Sequence, residues 1–345
     1  IFPKNQVSGR EAAELIVDCV ERKRREWSEI SLKHGIVEKG VGPQGQKIKT
    51  EYISKAITQT IILTYNTKGG VGKSTIAINL AAAIKASPIM SGQRVAIVDF
   101  DCGSANVSTV CHISDNDVQN RNLALWEYLS TDLSVKEVDD LLIPGPHGVM
   151  IAAAPLNPAV ADKINNELAD KVLTILKRHF GIIIIDGAPN ISAPVDEAIN
   201  HATHILLIAN PEGQSIKQLA RMVQLLKPDP EGFDSRDMSH ILRKMFVVLN
   251  HAQAESKWDL KPADISRAIG RPLMAEIPYS EAVKQALHGN TKKQAIDINP
   301  EDPFTIAIKS LANDVCGAYP DVLGSQESPT QSPKKSKLFN FFGRR

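Results

Sequence analysis

From residue 60 onward the chain alternates short apolar runs with longer stretches of helical periodicity. Residues 60–65, 94–100, 149–153, 182–186, 204–209, 245–250 and 273–277 are apolar at most successive positions instead of at every second one. That continuity marks strands buried on both faces. Between them, residues 73–85, 159–179, 215–226 and 303–316 repeat their apolar side chains at helical spacing. Strands that alternate with helices predict an α/β domain: a doubly wound, mostly parallel sheet with helices on both faces. No internal repeat is visible.

The two ends follow other patterns. Ser8 and Glu11 form a capping box, and Ala12, Leu15, Ile16, Cys19, Val20, Trp27 and Ile30 continue at helical spacing to about residue 32. Gly40, Gly42, Pro43 and Gly45 break that helix, and residues 51–57 are again helical in pattern. Past Tyr319, residues 320–333 are rich in Pro, Ser, Gly and Gln and read as a flexible linker. The expected organisation is therefore an N-terminal helical extension at 1–58, a core domain at 59–319, a flexible linker at 320–333 and a distinct tail at 334–345.

Composition narrows the class. With 43% hydrophobic and 23% charged residues among 345, the chain can bury a sizeable core and is not disordered throughout. The longest apolar runs fall far below the ~20 residues of a spanning helix, and no secretory signal is recognisable. Cys19, Cys102, Cys111 and Cys316 form no CxxC pair, which argues against a zinc knuckle or a disulfide framework and makes a reducing cytoplasm the expected setting. Residue 1 is Ile, so the true N-terminus is open. The net charge of +1 divides into +3 over residues 1–58, −5 over 59–319 and +3 over 320–345, an acidic globule with basic ends.

The first predicted strand runs into Asn66-Thr67-Lys68-Gly69-Gly70-Val71-Gly72-Lys73-Ser74-Thr75 and then into an apolar helix. Glycines let successive backbone N–H groups face an anion, and the helix N-terminus adds partial positive charge. In such a loop Lys73 reaches the β- and γ-phosphates of a nucleotide, the Ser74 hydroxyl ligates Mg²⁺, and Gly69, Gly70, Val71, Gly72 and Thr75 complete the cradle. The loop by itself implies a nucleotide phosphate and Mg²⁺ as its ligands.

The loop departs from the common consensus, because Thr67 stands where the first Gly is expected and Lys68 precedes the Gly-Gly pair. KGGVGKST with its early lysine resembles the deviant Walker A motif of the MinD/ParA family of P-loop ATPases. The resemblance implies that Lys68 reaches across a dimer interface to the phosphates of the partner's ATP. Residues 95–106, VAIVDFDCGSAN, are similar to the family's second strand and following loop, in which Asp101 orients the attacking water and Asp99 lies near the metal. Residues 182–189, IIIIDGAP, look like its Walker B and switch II segment, where Asp186 holds a Mg²⁺-bound water. An Asp closing an isolated strand is ordinarily a turn residue; the phosphate loop upstream reverses that reading. Ala209-Asn210-Pro211-Glu212 and Val248-Leu249-Asn250 fall where the family has a strand end and an adenine contact, making Asn250 a candidate for base recognition. The resemblance spans residues 60–318.

Residues 334–345, from Lys334 to Arg345, hold five basic residues, four large apolar ones and no acid. On a helix Leu338, Phe339, Phe341 and Phe342 fall within about 160° of arc. Basic flanks around such a face suit an anionic membrane surface, and the tail resembles the membrane-targeting helix of MinD. The alternatives for it are a disordered basic tail or a helix packed on a protein partner. The resemblance as a whole implies a slow ATPase that forms a homodimer with ATP and positions a cellular structure, cytoplasmic and peripherally attached to the inner face of the cell membrane. An unidentified activating or cargo protein is implied as well. A CpaE/TadZ-type pilus-assembly ATPase is the second reading. A ParA-type DNA-partitioning ATPase is the third, disfavoured by the acidic balance of 59–319. Arg22-Lys23-Arg24-Arg25 is interleaved with acids and reads as a solvated face. An iron–sulfur relative would need paired cysteines, and a tyrosine kinase of this core would end in a tyrosine cluster.

Overall fold

The computed structural model describes residues 59–227, 238–251, 259–288 and 293–319. The chain divides into units Ile1–Lys55 and Ala56–Arg345, and every described residue belongs to the second. The expectations for 1–58, for the 320–333 linker and for the 334–345 tail lie outside the described residues.

An eight-stranded sheet forms the centre, in the order β3-β4-β2-β5-β1-β6-β7-β8. Its strands are β1 (Thr60–Tyr65), β2 (Val95–Phe100), β3 (Ile143–Pro144), β4 (Met150–Ala152), β5 (Ile182–Gly187), β6 (His204–Ala209), β7 (Met245–Asn250) and β8 (Leu273–Ile277). All neighbours are parallel except the short β3, which runs antiparallel to β4. The doubly wound, mostly parallel sheet of the sequence analysis is thus observed. The β3 strand has no counterpart there, because two residues carry no periodicity.

Alternate residues of each strand feed two separate cores. Ile61, Leu63, Tyr65, Val98, Ile183, Ile185, Leu207 and Leu249 face one side. There they meet apolar positions of α3 (Asn166–His179), α4 (Ala193–His201), α5 (Gly213–Leu225) and α6 (Pro262–Ile269). Ile62, Ile97, Ile184, Leu206, Ile208 and Val248 face the other, against α1 (Lys73–Ala86) and α8 (Pro303–Cys316). Val107 of α2 (Asn106–Val110) and Ala282 and Ala286 of α7 (Glu281–His288) join this second core. Burial on both faces explains why the strands are apolar throughout.

Helix α1 is buried along most of its length, and small side chains at Ala81, Ala82 and Ala83 let it lie between the sheet and α8. The hydroxyl of Tyr319, just past α8, donates to the Ala83 carbonyl and ties the two helices together. One expected helix, 159–179, is corrected by the structure into Pro158–Ala161 and α3. The physical reason is Asn165, whose side chain accepts from Leu168 N at 2.9 Å and starts a new helix.

The sheet order places the site. The chain leaves β1 toward β2 on one side and returns through β5 to β6 on the other, so β1 sits at a topological switch point. Asn66, Asp101, Asp186, Asn210 and Asn250 therefore all lie at or just beyond the C-terminal ends of adjacent strands.

Candidate functional site

Gly70 and Gly72 hold φ of 75° and 96° in the loop between β1 and α1, a left-handed curl that glycine adopts without strain. Space also demands glycine at 72, since a Cβ there would come within 2.3 Å of Asn250 Nδ2. That Nδ2 donates to the Val71 carbonyl at 2.8 Å. Asn250 is buried and braces the back of the loop from β7, so its amide donor is already engaged. Gly69 and Gly70 have open space around them, as the exposed crest of a cradle requires.

Lys73 opens α1 and is 6% exposed. Burial pulls its ammonium below the ordinary lysine range, while the charges of Asp186 and Asp101 oppose that shift. Its Nζ lies 3.5 Å from the Lys68 carbonyl. Three carboxylates converge from β2 and β5, where Asp99 and Asp186 are register partners and Asp101 is the first residue past β2. All three are buried. Burial raises each of them: Asp186 to about 6, against the lowering effects of a Ser74 hydrogen bond and the Lys73 charge; Asp99 well above the carboxylate range; Asp101 against Lys73, Ser104 and Asn106.

The three acids are not equivalent. Asp99 accepts Asp101 N on one oxygen and Val107 N on the other, both at 3.1 Å. It therefore splints the loop that carries Asp101. Asp186 accepts from Thr64 Oγ1 at 3.3 Å on Oδ1, and its Oδ2 is buried without a partner. After Asp186 the chain passes so close to β1 that a Cβ on Gly187 would lie 2.9 Å from the Thr64 carbonyl. A hydroxyl at Ser74, a carboxylate with an orphaned oxygen at Asp186 and an excess of buried negative charge over the single Lys73 make a donor set that fits a hard divalent cation such as Mg²⁺.

Lys68 is placed differently. Its backbone N–H donates to Asn66 Oδ1 at 2.7 Å, and its ammonium pairs with Glu212 at 2.6 Å on the partly exposed rim. From sequence alone Glu212 is only part of a strand-end segment, and Asn66 and Thr64 carry no expected role. A pair 144 residues apart in sequence leaves no local signal. Only the Asn two residues before Lys68, a spacing that favours a side-chain-to-backbone turn, was available to flag Asn66.

A glycine-rich loop and a helix N-terminus on a switch-point strand, beside buried acids, define a P-loop nucleotide site. Comparison with known proteins sharpens that class. The AAA domain family matches residues 59–229. An ATP-binding protein of Methanocaldococcus jannaschii is 25% identical over 282 residues, 81% of this chain and 95% of that protein. The septum site-determining protein MinD of Helicobacter pylori is 30% identical over 165 residues, 46% of this chain and 56% of that one. In fold, the chain is similar to MinD of Pyrococcus horikoshii OT3 complexed with Mg-ADP, with a TM-score of 0.58 at 23% identity, covering 74% of this chain and 95% of that one. In sequence and fold the chain is similar to the MinD/ParA ATPases, and it is a P-loop ATPase. No helix among the described residues is long and apolar enough to cross a membrane.

Proposed function

We propose that this chain is a spatial switch: it dimerises on binding Mg-ATP, attaches to an anionic membrane through residues 334–345, and detaches after hydrolysis. The observation that carries the reading is the division of labour between the loop's two lysines. Lys73 is sealed beside Asp101 and Asp186, whereas Lys68 sits at the rim with its ammonium on a partly exposed acid. A cation at the rim is free to serve a site outside its own pocket.

In this reading Lys73 and the amides from Gly69 to Thr75 hold the β- and γ-phosphates, and Lys68 reaches the partner's ATP. Ser74 and Asp186 hold Mg²⁺, with Asp99 alongside. A Mg²⁺ ion held by these residues would offset the charge that builds up as the phosphoryl group transfers. Asp101 orients the attacking water, and its loop is held in place by Asp99. Phosphoryl transfer calls for positioning and charge neutralisation more than for a strong base. That suits a slow switch. Asn250 braces the loop and offers its remaining oxygen toward a base.

One tail binds a membrane marginally: basic residues contribute about 1 kcal/mol each and a few inserted apolar side chains add a few more, less the cost of ordering. Two tails on one dimer gain roughly 10²–10⁴ in avidity. Dimerisation thereby becomes attachment. A pilus or other protein surface, or DNA, would replace the membrane in the alternative readings; the −5 balance of residues 59–319 disfavours DNA.

The test is co-sedimentation with anionic liposomes in ATP and in ADP, for the full chain and for a version ending at Pro333. Pelleting that needs both ATP and the tail is the expected result. Pelleting that is independent of the tail, or absent in ATP, overturns the membrane mechanism.

A further inference from the structure

Lys68 is held at both of its ends by one segment of the neighbouring strand and helix. Asn66, the first residue beyond β1, is fully buried. Its Oδ1 accepts Lys68 N at 2.7 Å, closing a turn around Thr67. Its Nδ2 points the other way, donating to the Ile208 carbonyl of β6 and lying 3.4 Å from Ser215 Oγ in the first turn of α5. The Lys68 ammonium meets Glu212, which lies between Ile208 and Ser215 in the chain. The Lys68 carbonyl faces Lys73 Nζ at 3.5 Å. The peptide that carries the rim lysine is therefore fixed on its N–H side by Asn66 and on its carbonyl side by the buried lysine.

We propose that Asn66 is a positioning residue for Lys68: it anchors that lysine's backbone to the segment from Ile208 to Ser215, so that the ammonium projects at a set height above the sheet edge. The inference rests on the reading in which Lys68 serves the partner's nucleotide. A lysine stem has several freely rotating bonds, and its reach is defined only if its Cα is fixed. Among the described residues the Lys68 backbone N–H has its side-chain partner in Asn66. The anchor also has a consequence for dimers. A partner that presses on residues 208–215 moves the mount of Lys68 along with Glu212, so lysine and mount stay in register.

Asn is the residue type the position demands. It must accept from a backbone N–H and donate to a backbone carbonyl at once, in a site without water access. Asp can only accept when ionised, Ala does neither, and Ser can close the turn with its hydroxyl but cannot span to β6.

The experiment measures three quantities on the full chain: affinity for a fluorescent ATP analogue, the ATP-dependent dimer dissociation constant, and turnover at saturating ATP. Asn66→Ala is expected to leave nucleotide affinity within about 3-fold, because Lys73 and the loop amides are untouched, while dimerisation and turnover each fall at least about 10-fold. Asn66→Ser, which keeps the turn, is expected to recover part of that loss, and it serves in place of Asn66→Ala if the latter does not fold. A parallel loss of nucleotide affinity and turnover in both variants would assign Asn66 to folding the loop as a whole and overturn the proposal. Wild-type dimerisation and turnover in Asn66→Ala would overturn it too. Lys68→Ala is the control that separates the two readings: if it dimerises and turns over normally, the role given to Lys68 fails, whatever Asn66 does.

Discussion

Lys68 and Lys73 occupy one loop, five residues apart, and could hardly be set in more different surroundings. Lys73 is 6% exposed, its charge opposed by burial and supported by Asp186 and Asp101. The Lys68 side chain is 35% exposed and pairs with a Glu212 that is itself 50% exposed. The difference follows from the curl of the loop: Gly70 and Gly72 turn the chain so that residue 73 enters the helix over the sheet edge while residue 68 stays on the rim. A buried cation is committed to whatever fills the pocket, since leaving would strand charge in low dielectric. A rim cation in an exposed ion pair gives up little on leaving, about 0–1 kcal/mol. These two surroundings are what the proposed division requires, one lysine to hold the nucleotide and the other to reach a partner's.

The sharpest way to break that comparison is to remove each lysine in turn. Lys68→Ala is expected to keep ATP affinity within a few-fold, to lose the ATP-dependent dimer in light scattering, and to lower turnover by about 10³-fold, as for other cations supplied in trans. Lys73→Ala is expected to lose nucleotide affinity itself, by about 10²-fold or more, with dimerisation failing only as a consequence. If both variants lose affinity alike, the loop acts as one unit and the division fails.

Asp186 gives the next largest effect, and it is read without nucleotide. Its carboxyl is pushed up to about 6 from 3.8, chiefly by burial. The folded state therefore binds its proton more tightly than the unfolded chain does. Stability from this group is fully present below pH 3.8 and is lost as pH rises through about 6. A shift of this size corresponds to an upper bound on the order of 2–3 kcal/mol. Asp186→Asn is expected to be more stable than the nucleotide-free wild type at pH 8 in urea unfolding, with the gap closing toward pH 4. Added Mg²⁺ and ATP should reverse the order, stabilising wild type and not the variant. An Asp186→Asn protein less stable than wild type at pH 8 would mean that the carboxylate is structurally satisfied and not waiting for a cation.

How much of this was legible beforehand depends on whether a feature is local. The strands announced themselves because burial on both faces makes them apolar at successive positions, and the helical spacing of 303–316 matches α8, which Gly317 ends at φ 72°. The phosphate loop was legible for the same reason: its glycines, lysines and hydroxyls sit in one stretch of ten residues. Residues 159–179 read as one helix because their apolar spacing runs across the break, while the cap at Asn165 depends on a single side-chain hydrogen bond. Of the mount of Lys68 only the Asn66 turn leaves a local mark, since Ile208, Glu212 and Ser215 reach it only through strand order. Asn250 shows the intermediate case: its position at a strand end was readable, but the engagement of its Nδ2 with Val71 was not.

The smallest expected effect tests the mobile half of the comparison. Glu212→Gln removes the negative charge that Lys68 meets in the free chain and keeps the shape of the side chain. The pair is partly exposed on both sides, so its worth is about 0.2–1 kcal/mol and thermal stability should hardly change. If Lys68 must leave Glu212 to reach a partner's phosphates, the same energy is recovered at dimerisation. Half-maximal dimerisation is then expected at a nucleotide concentration lower by about 1.4- to 5-fold, read by light scattering at low ionic strength, with the gain shrinking as salt screens the pair. A variant that dimerises less readily than wild type would reverse the argument. Glu212 would then hold Lys68 in place within the dimer, and the rim lysine would be as fixed in its working position as Lys73 is in its pocket.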